Sequence, residues 1–298
     1  MGVVVGFRTP DRRFVLGWAW ASIVANATLV LTGGLVRLTG SGLGCPTWPR
    51  CTDDSFVPHQ ALGAHGVIEF GNRMLTYVLV VVAVGTAVAV WRWAAANRSM
   101  RILVILMGLG IPLQGVVGGV SVLTDLNPWV VSVHLLLSMV LVAASVVLLV
   151  RVRGDGSEAI DDMQAWLVRG TYVVLWAVVY LGTIVTGSGP HAGDAKAPRN
   201  GLDPADISQA HADVVFLLVG LTVGCWLALR AKAPMAARAA LALLVFELAQ
   251  GRIGFVQYWT DLPIALVAAH LVGAAILIAS GTHLLLAAGP AERSSVDA

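Results

Sequence analysis

A chain of 298 residues that is 57% hydrophobic and only 12% charged is no soluble domain, where roughly a quarter of residues carry charge. Its formal net charge of +2 makes no case for nucleic-acid binding, because the basic residues lie in short segments between long apolar runs. What remains is an all-α polytopic membrane protein, since long continuous apolar runs cross a bilayer as helices that satisfy their own backbone.

Runs long enough to span, roughly 20 residues each, are expected at Phe14–Val36, His65–Val90, Ile102–Leu123, Pro128–Val150, Ala165–Thr186, Ile207–Leu229, Ala236–Tyr258 and Leu262–Ala287. The start, MGVVVGFRTPDRRF, shows no removable signal peptide, and Glu292–Ala298 reads as a disordered tail. One set of connections carries Arg8, Arg12, Arg13, Arg92, Arg98, Arg101, Arg151, Arg153, Arg169, Arg230, Lys232 and Arg238. The opposite set has the long stretches Leu38–Ala64 and Ser188–Asp206 with few cations. Cytoplasmic loops are the basic ones, so both termini are expected inside the cell membrane. The loop CPTWPRC, with Cys45 and Cys51, is then expected outside. There the pair could be a disulfide, or thiols serving redox or metal chemistry. Cys225 reads as a small buried apolar residue.

The chain repeats itself. Gln114–His134 reads QGVVGGVSVLTDLNPWVVSVH and Gln250–His270 reads QGRIGFVQYWTDLPIALVAAH. Without a gap, Gln114/Gln250, Gly115/Gly251, Gly118/Gly254, Val120/Val256, Thr124/Thr260, Asp125/Asp261, Leu126/Leu262 and His134/His270 coincide. Spans 1 and 5 end alike, in VRLTGSG and IVTGSG. Four spans per copy give both copies one orientation, so the expectation is two four-helix bundles related by a pseudo-twofold along the membrane normal. The halves are residues 1–153 and 165–298, with 154–164 as a cytoplasmic linker. The glycines read as small faces for helix packing, and Gln114 and Gln250 as bridges between helices. Trp18, Trp20, Trp48, Trp91, Trp93, Trp129, Trp226 and Trp259, mostly near span ends, read as interfacial anchors.

An ionisable side chain inside an apolar helix is costly and marks a functional site by default. His211 and His270 fall in different spans of the second half, at expected depths of about 6 and 12 Å from the outer side. Two imidazoles facing across a bundle can hold a haem iron; the plainer alternative is two histidines bonded to backbone carbonyls. In the first half, His134 repeats His270, but the position matching His211 is Asn72. Span 2, HGVIEFGNRM, puts His65, Glu69 and Asn72 on one face. Glu69 could simply pair with Arg73 four residues on, or serve as an acid–base group beside a reacting molecule. Arg37 and Arg73 could meet haem propionates or snorkel to the surface. His191 could cover the C-terminal haem but reads first as simply solvated; His59 and His283 have no assigned role.

GLVRLTGSGLGCPTWPRC, EFGNR, TGSGPHAGD and the histidines at four-span intervals resemble the heme A synthase family over nearly the whole chain. The resemblance implies a membrane oxidoreductase that converts the methyl group of heme O to the formyl group of heme A. It implies heme b as cofactor, held by His211 and His270, and substrate haem held by His134. Glu69 matches the acidic residue implicated in catalysis, and Cys45 and Cys51 match the family's outer-loop pair. Where the family has E-x-x-H-R, this chain has Asn72 before Arg73. That leaves an open sixth position at the substrate iron, or one reached by His65. Expected partners are heme O, membrane lipid, the prenyltransferase that makes heme O and a quinone or similar electron acceptor; the reading admits a homo-oligomer. Two alternatives stand beside it: a di-haem b-type electron-transfer protein, which has no use for Glu69, and a parallel-repeat transporter, which would want midplane charges and broken spans.

Overall fold

A computed structural model describes residues 9–290; the signal-peptide reading of the first eight residues and the tail at 292–298 lie outside the described residues. All eight expected spans are helices: α1 Arg12–Leu38, α2 Gly63–Arg92, α3 Arg98–Leu123, α4 Pro128–Arg153, α5 Asp162–Ser188, α6 Pro204–Leu229, α7 Pro234–Trp259 and α8 Ile264–Ala287. Each is long and apolar enough to cross a membrane, so the chain is a multi-pass membrane protein. The helices begin at local caps, which hydropathy alone does not locate. Asp11, Asn97, Asn127 and Asp203 each accept a backbone N–H of the first turn, and Asp161 with Gln164 forms a capping box. Pro128, Pro204 and Pro234 occupy first-turn positions, where a missing N–H costs nothing.

Helices α1 to α4 pack as one ring, with α1 against α4, and α5 to α8 as a second, with α5 against α8. The rings meet through α1 and α4 on one side and α5 and α8 on the other. Helix α4, at this junction, is the most buried span. At one end the loops interlock. Gly42 N–H donates to the Gly193 carbonyl at 2.8 Å, and Leu126 packs with Ala192 and Ala197.

The stretch expected as a linker is pinned. Gly154 ends α4 with φ of 65°, and Glu158–Ile160 (β1) pairs in parallel with Ala288–Pro290 (β2), a short departure from an all-helical chain. The Glu158 carboxylate also accepts Met235 N–H at 2.8 Å and Ala236 N–H at 2.9 Å. It thereby caps α7, whose own preceding residue, Ala233, offers no side-chain acceptor. The last residues of that stretch belong to α5, which starts at Asp162.

Both T-D-L turns have the same unusual backbone. Asp125, Leu126, Asp261 and Leu262 all take φ between 52° and 60°. Leu126 N–H returns to the Ser121 carbonyl and Leu262 N–H to the Gln257 carbonyl, each at 2.7 Å. This is the Schellman closure, here made without glycine. Thr124 and Thr260 add hydroxyl bonds to the carbonyls of Val120 and Val256.

Candidate functional site

Each repeat ends with its histidine braced in one way. Gln250 Nε2 donates to the His270 carbonyl at 2.8 Å, and Gln114 Nε2 to the His134 carbonyl at 3.2 Å. The glutamines bridge helices, as the sequence suggested. The glycines do something more specific than packing. A Cβ on Gly118 would lie 3.2 Å from His134 Cε1, and one on Gly254 3.5 Å from His270 Cε1. Gly182 of α5 stands to His211 in the same way, at 3.3 Å. Gly115 and Gly251, one turn away, have nothing near them.

The structure evens the histidine depths. His211 comes seven residues after the start of α6, His270 six after that of α8, and His134 six after that of α4. At helical rise each lies about 9–10 Å from its helix start. Helices α6 and α8 hold opposite corners of their ring, and His211 is within electrostatic reach of His270. Nδ1 of His134, His211 and His270 is buried with no hydrogen-bond partner. Buried polar groups are normally bonded. Three half-buried rings that are not, each over a glycine, suit ligands better than carbonyl-bonded core histidines. The donor set of the second half, two imidazoles from opposite corners, fits a haem.

In the first ring α2 faces α4, and Asn72 stands where the second has His211. Asn72 Oδ1 is buried and unpartnered. Glu69 is buried and doubly engaged. Oε1 accepts Arg73 Nη2 at 2.5 Å and Nε at 3.1 Å, and Oε2 accepts Cys45 N–H at 2.7 Å. Arg73 also donates to the carbonyls of Cys45, Thr47 and Arg50. Cys45 and Cys51 are disulfide-bonded, so one carboxylate and one guanidinium clamp the disulfide loop onto α2. The loop passes so near the His65 carbonyl that Gly44 has no room for a Cβ. His65 is exposed, two residues after the start of α2, with Nδ1 2.9 Å from Ser41 Oγ.

Arg37 donates to the His191 carbonyl at 2.6 Å and the Thr186 carbonyl at 2.9 Å, the counterpart of the Arg73 clamp. One expectation changes. His191 is not simply solvated, because its Nε2 lies 2.9 Å from the Leu262 carbonyl. In the exposed disulfide loop, the Thr52 hydroxyl, followed by His59, holds the Asp54 carboxyl below its ordinary range. One residue escaped the sequence reading. Glu247, inside the apolar run of α7, is 2% exposed. The rule that flagged the histidines, an ionisable group inside a span, would have found it.

Residues 17–201 match the family described as Cytochrome oxidase assembly protein. The chain belongs to that family. The cytochrome oxidase assembly match covers Glu69, Asn72, His134 and the disulfide loop and ends before His211 and His270. One relative spans nearly the whole chain. A protein of Geobacillus kaustophilus named Heme A synthase is 23% identical over 96% of this chain and 95% of its own length. One of Lysinibacillus sphaericus with that name is 27% identical over 58% of each chain. One of Listeria innocua, also so named, is 28% identical over 46% of this chain and 45% of its own.

Proposed function

We propose that this chain is a heme A synthase, an oxidoreductase of the cell membrane that takes the methyl group of heme O to the formyl group of heme A. The observation that carries the reading is the asymmetry between the rings. Both present a braced histidine over a glycine, at His134 and His270, but only the second has His211 opposite. A haem held from both sides is a fixed cofactor; one held by His134 alone, facing Asn72, can be exchanged as substrate and product. The names of the relatives agree.

In this reading His211 and His270 hold heme b, which when bound supplies one-electron transfer. Gln250 fixes the backbone of one ligand, and Gly182 and Gly254 keep space for the rings. In the first half His134 positions the substrate iron, and Asn72 offers an oxygen that accepts hydrogen bonds. Glu69, held in place by Arg73 and the Cys45 N–H, is the acid–base group beside the substrate. The disulfide loop closes the outer mouth, with both termini cytoplasmic. Heme O arrives from the prenyltransferase that makes it, and electrons leave to a quinone.

The test is to purify the full chain, extract its haem and identify it by mass. Heme b together with heme O or heme A is expected. Two equivalents of heme b alone would mean a di-haem conduit, and no haem would leave a transporter; either overturns the reading.

A further inference from the structure

The second ring contains an acid that the proposed reaction does not use. Glu247 lies three residues before Gln250 on α7, so the two share the face turned into the ring, about 4.5 Å apart along the axis. Its Oε1 accepts the Thr222 hydroxyl at 2.8 Å. Its Oε2 is buried with no partner at all. Among the described residues no Lys, Arg or His forms an ion pair with it. From α6 it meets Thr222 and, within electrostatic reach, the Cys225 thiol. From α5, Thr171 holds that sulfur at 3.2 Å. From α8, the ionisable residues His270 and His283 make no bond to it. A carboxylate this deep needs a positive charge nearby or a proton of its own.

The first ring has no such group. In the register that matches Gln114 with Gln250, Glu247 falls on Ile111. In the register that matches Asn72 with His211, Thr222 falls on Ala83. Ile111 and Ala83 line a small void there, with Ser22, Asn26 and Thr86. The acid is thus confined to the ring with two facing histidines, one turn inward of the glutamine that braces His270.

We propose that Glu247 is the proton-binding site that balances the electron on the haem held by His211 and His270. The proposal rests on that haem assignment. A haem held by His211 and His270 would carry one more positive charge when oxidised than when reduced, and that charge would stabilise the ionised carboxylate. When an electron reaches the iron that charge is gone. One proton from water then forms an O–H bond on the carboxyl, and the net charge inside the ring stays constant. When the electron passes to a quinone the O–H bond breaks and the proton returns to water. In a medium of low dielectric, constant charge is the less costly path.

The experiment is a potentiometric titration of the purified, haem-loaded full chain across a range of pH. It is run in a His134→Ala background, so that the C-terminal haem is read alone. The potential is expected to fall as pH rises, approaching a tenfold change in the reduced-to-oxidised ratio per pH unit, about 59 mV for one electron. Glu247→Gln should flatten this slope and Glu247→Asp should retain it. Reduction should add a protonated-carboxyl infrared band that Glu247→Gln lacks. A flat potential in the unsubstituted residue-247 protein, or a slope kept in Glu247→Gln, overturns the proposal while leaving the haem assignment intact. A second ring without a low-spin haem overturns that assignment and the proposal together.

Discussion

The three rings of His134, His211 and His270 lie against glycine Cα atoms, and that contact is sensitive to single atoms. Valine at Gly182 would put its Cβ 3.3 Å from Cε1, already too close, and valine at Gly254 would put it at an ordinary 3.5 Å, with the methyl groups of either in the ring. Overpacking of this kind costs about 1–3 kcal/mol, and the ring turns before the helix moves. The expected outcome is loss of the low-spin haem spectrum with helical circular dichroism unchanged. Gly251→Ala, where nothing lies within reach, should keep the spectrum. Likewise His65→Ala should keep the haem signals, because His65 sits at the mouth and is bonded to Ser41; loss of a haem on that change alone would make it the second substrate ligand. The Glu69–Arg73 pair gives a stability prediction. Arg73→Met leaves a buried carboxylate facing only an N–H, which costs about 3 kcal/mol, whereas Arg73→Met with Glu69→Gln should recover most of that. Thermal unfolding in detergent measures both, and limited proteolysis between Cys45 and Pro58 should show the loop released in the single variant only. These sites were legible to different degrees. The histidines stand out because a polar ring in an apolar run is rare and these recur at one spacing. The clamp was half visible, as a four-residue Glu–Arg spacing, but the Cys45 N–H that completes it is a matter of three-dimensional loop path.

At the scale of elements, the T-D-L turns are the most constrained pieces of backbone. Left-handed conformation costs an L-residue roughly 1–2 kcal/mol, and Asp is among the few that tolerate it. A β-branched residue is not. Asp261→Val should therefore destabilise by about 1–2 kcal/mol, while Asp261→Gly should be close to neutral, since relieved strain offsets the greater freedom of the unfolded chain. The midpoint of thermal unfolding separates them. Sequence alone showed that these turns are equivalent but not why: their common feature is a pair of dihedral angles, and no glycine announces it. Span positions were legible to within a few residues because hydropathy is set by the bilayer, whereas the ends are set by caps such as Asp11 and Asp203. The linker was read only in part. A three-residue strand carries no periodicity, and the partner of Glu158–Ile160 lies at Ala288–Pro290, near the far end of the chain.

For the molecule as a whole, the repeat goes with two rings of four helices, and the basic residues gather at one end of the spans. Arg12, at the start of α1, donates to the Val152 carbonyl near the end of α4, which puts the basic ends of the spans on one side. On that side Arg153 lies 5.3 Å from the Trp20 ring, Arg101 5.7 Å from Trp91, Arg230 5.8 Å from Trp226 and Arg169 5.9 Å from Trp166. Arginine stacked on tryptophan at span ends is what an interface with anionic headgroups favours. The opposite side carries the disulfide loop and the 189–203 loop that interlocks with it. If the basic side is cytoplasmic, single introduced thiols should report it without interference. Two native cysteines are joined in a disulfide and Cys225 is fully buried. Ala195→Cys, at an exposed position of the outer loop, should react with a membrane-impermeant maleimide in intact cells. Gly156→Cys, in the exposed part of the linker with no neighbour to clash with, should react only after the cells are opened. The reverse pattern would place the disulfide loop in the reducing compartment and remove the case for its oxidised state. Equal labelling of both in intact cells would mean that the basic side does not set the orientation at all.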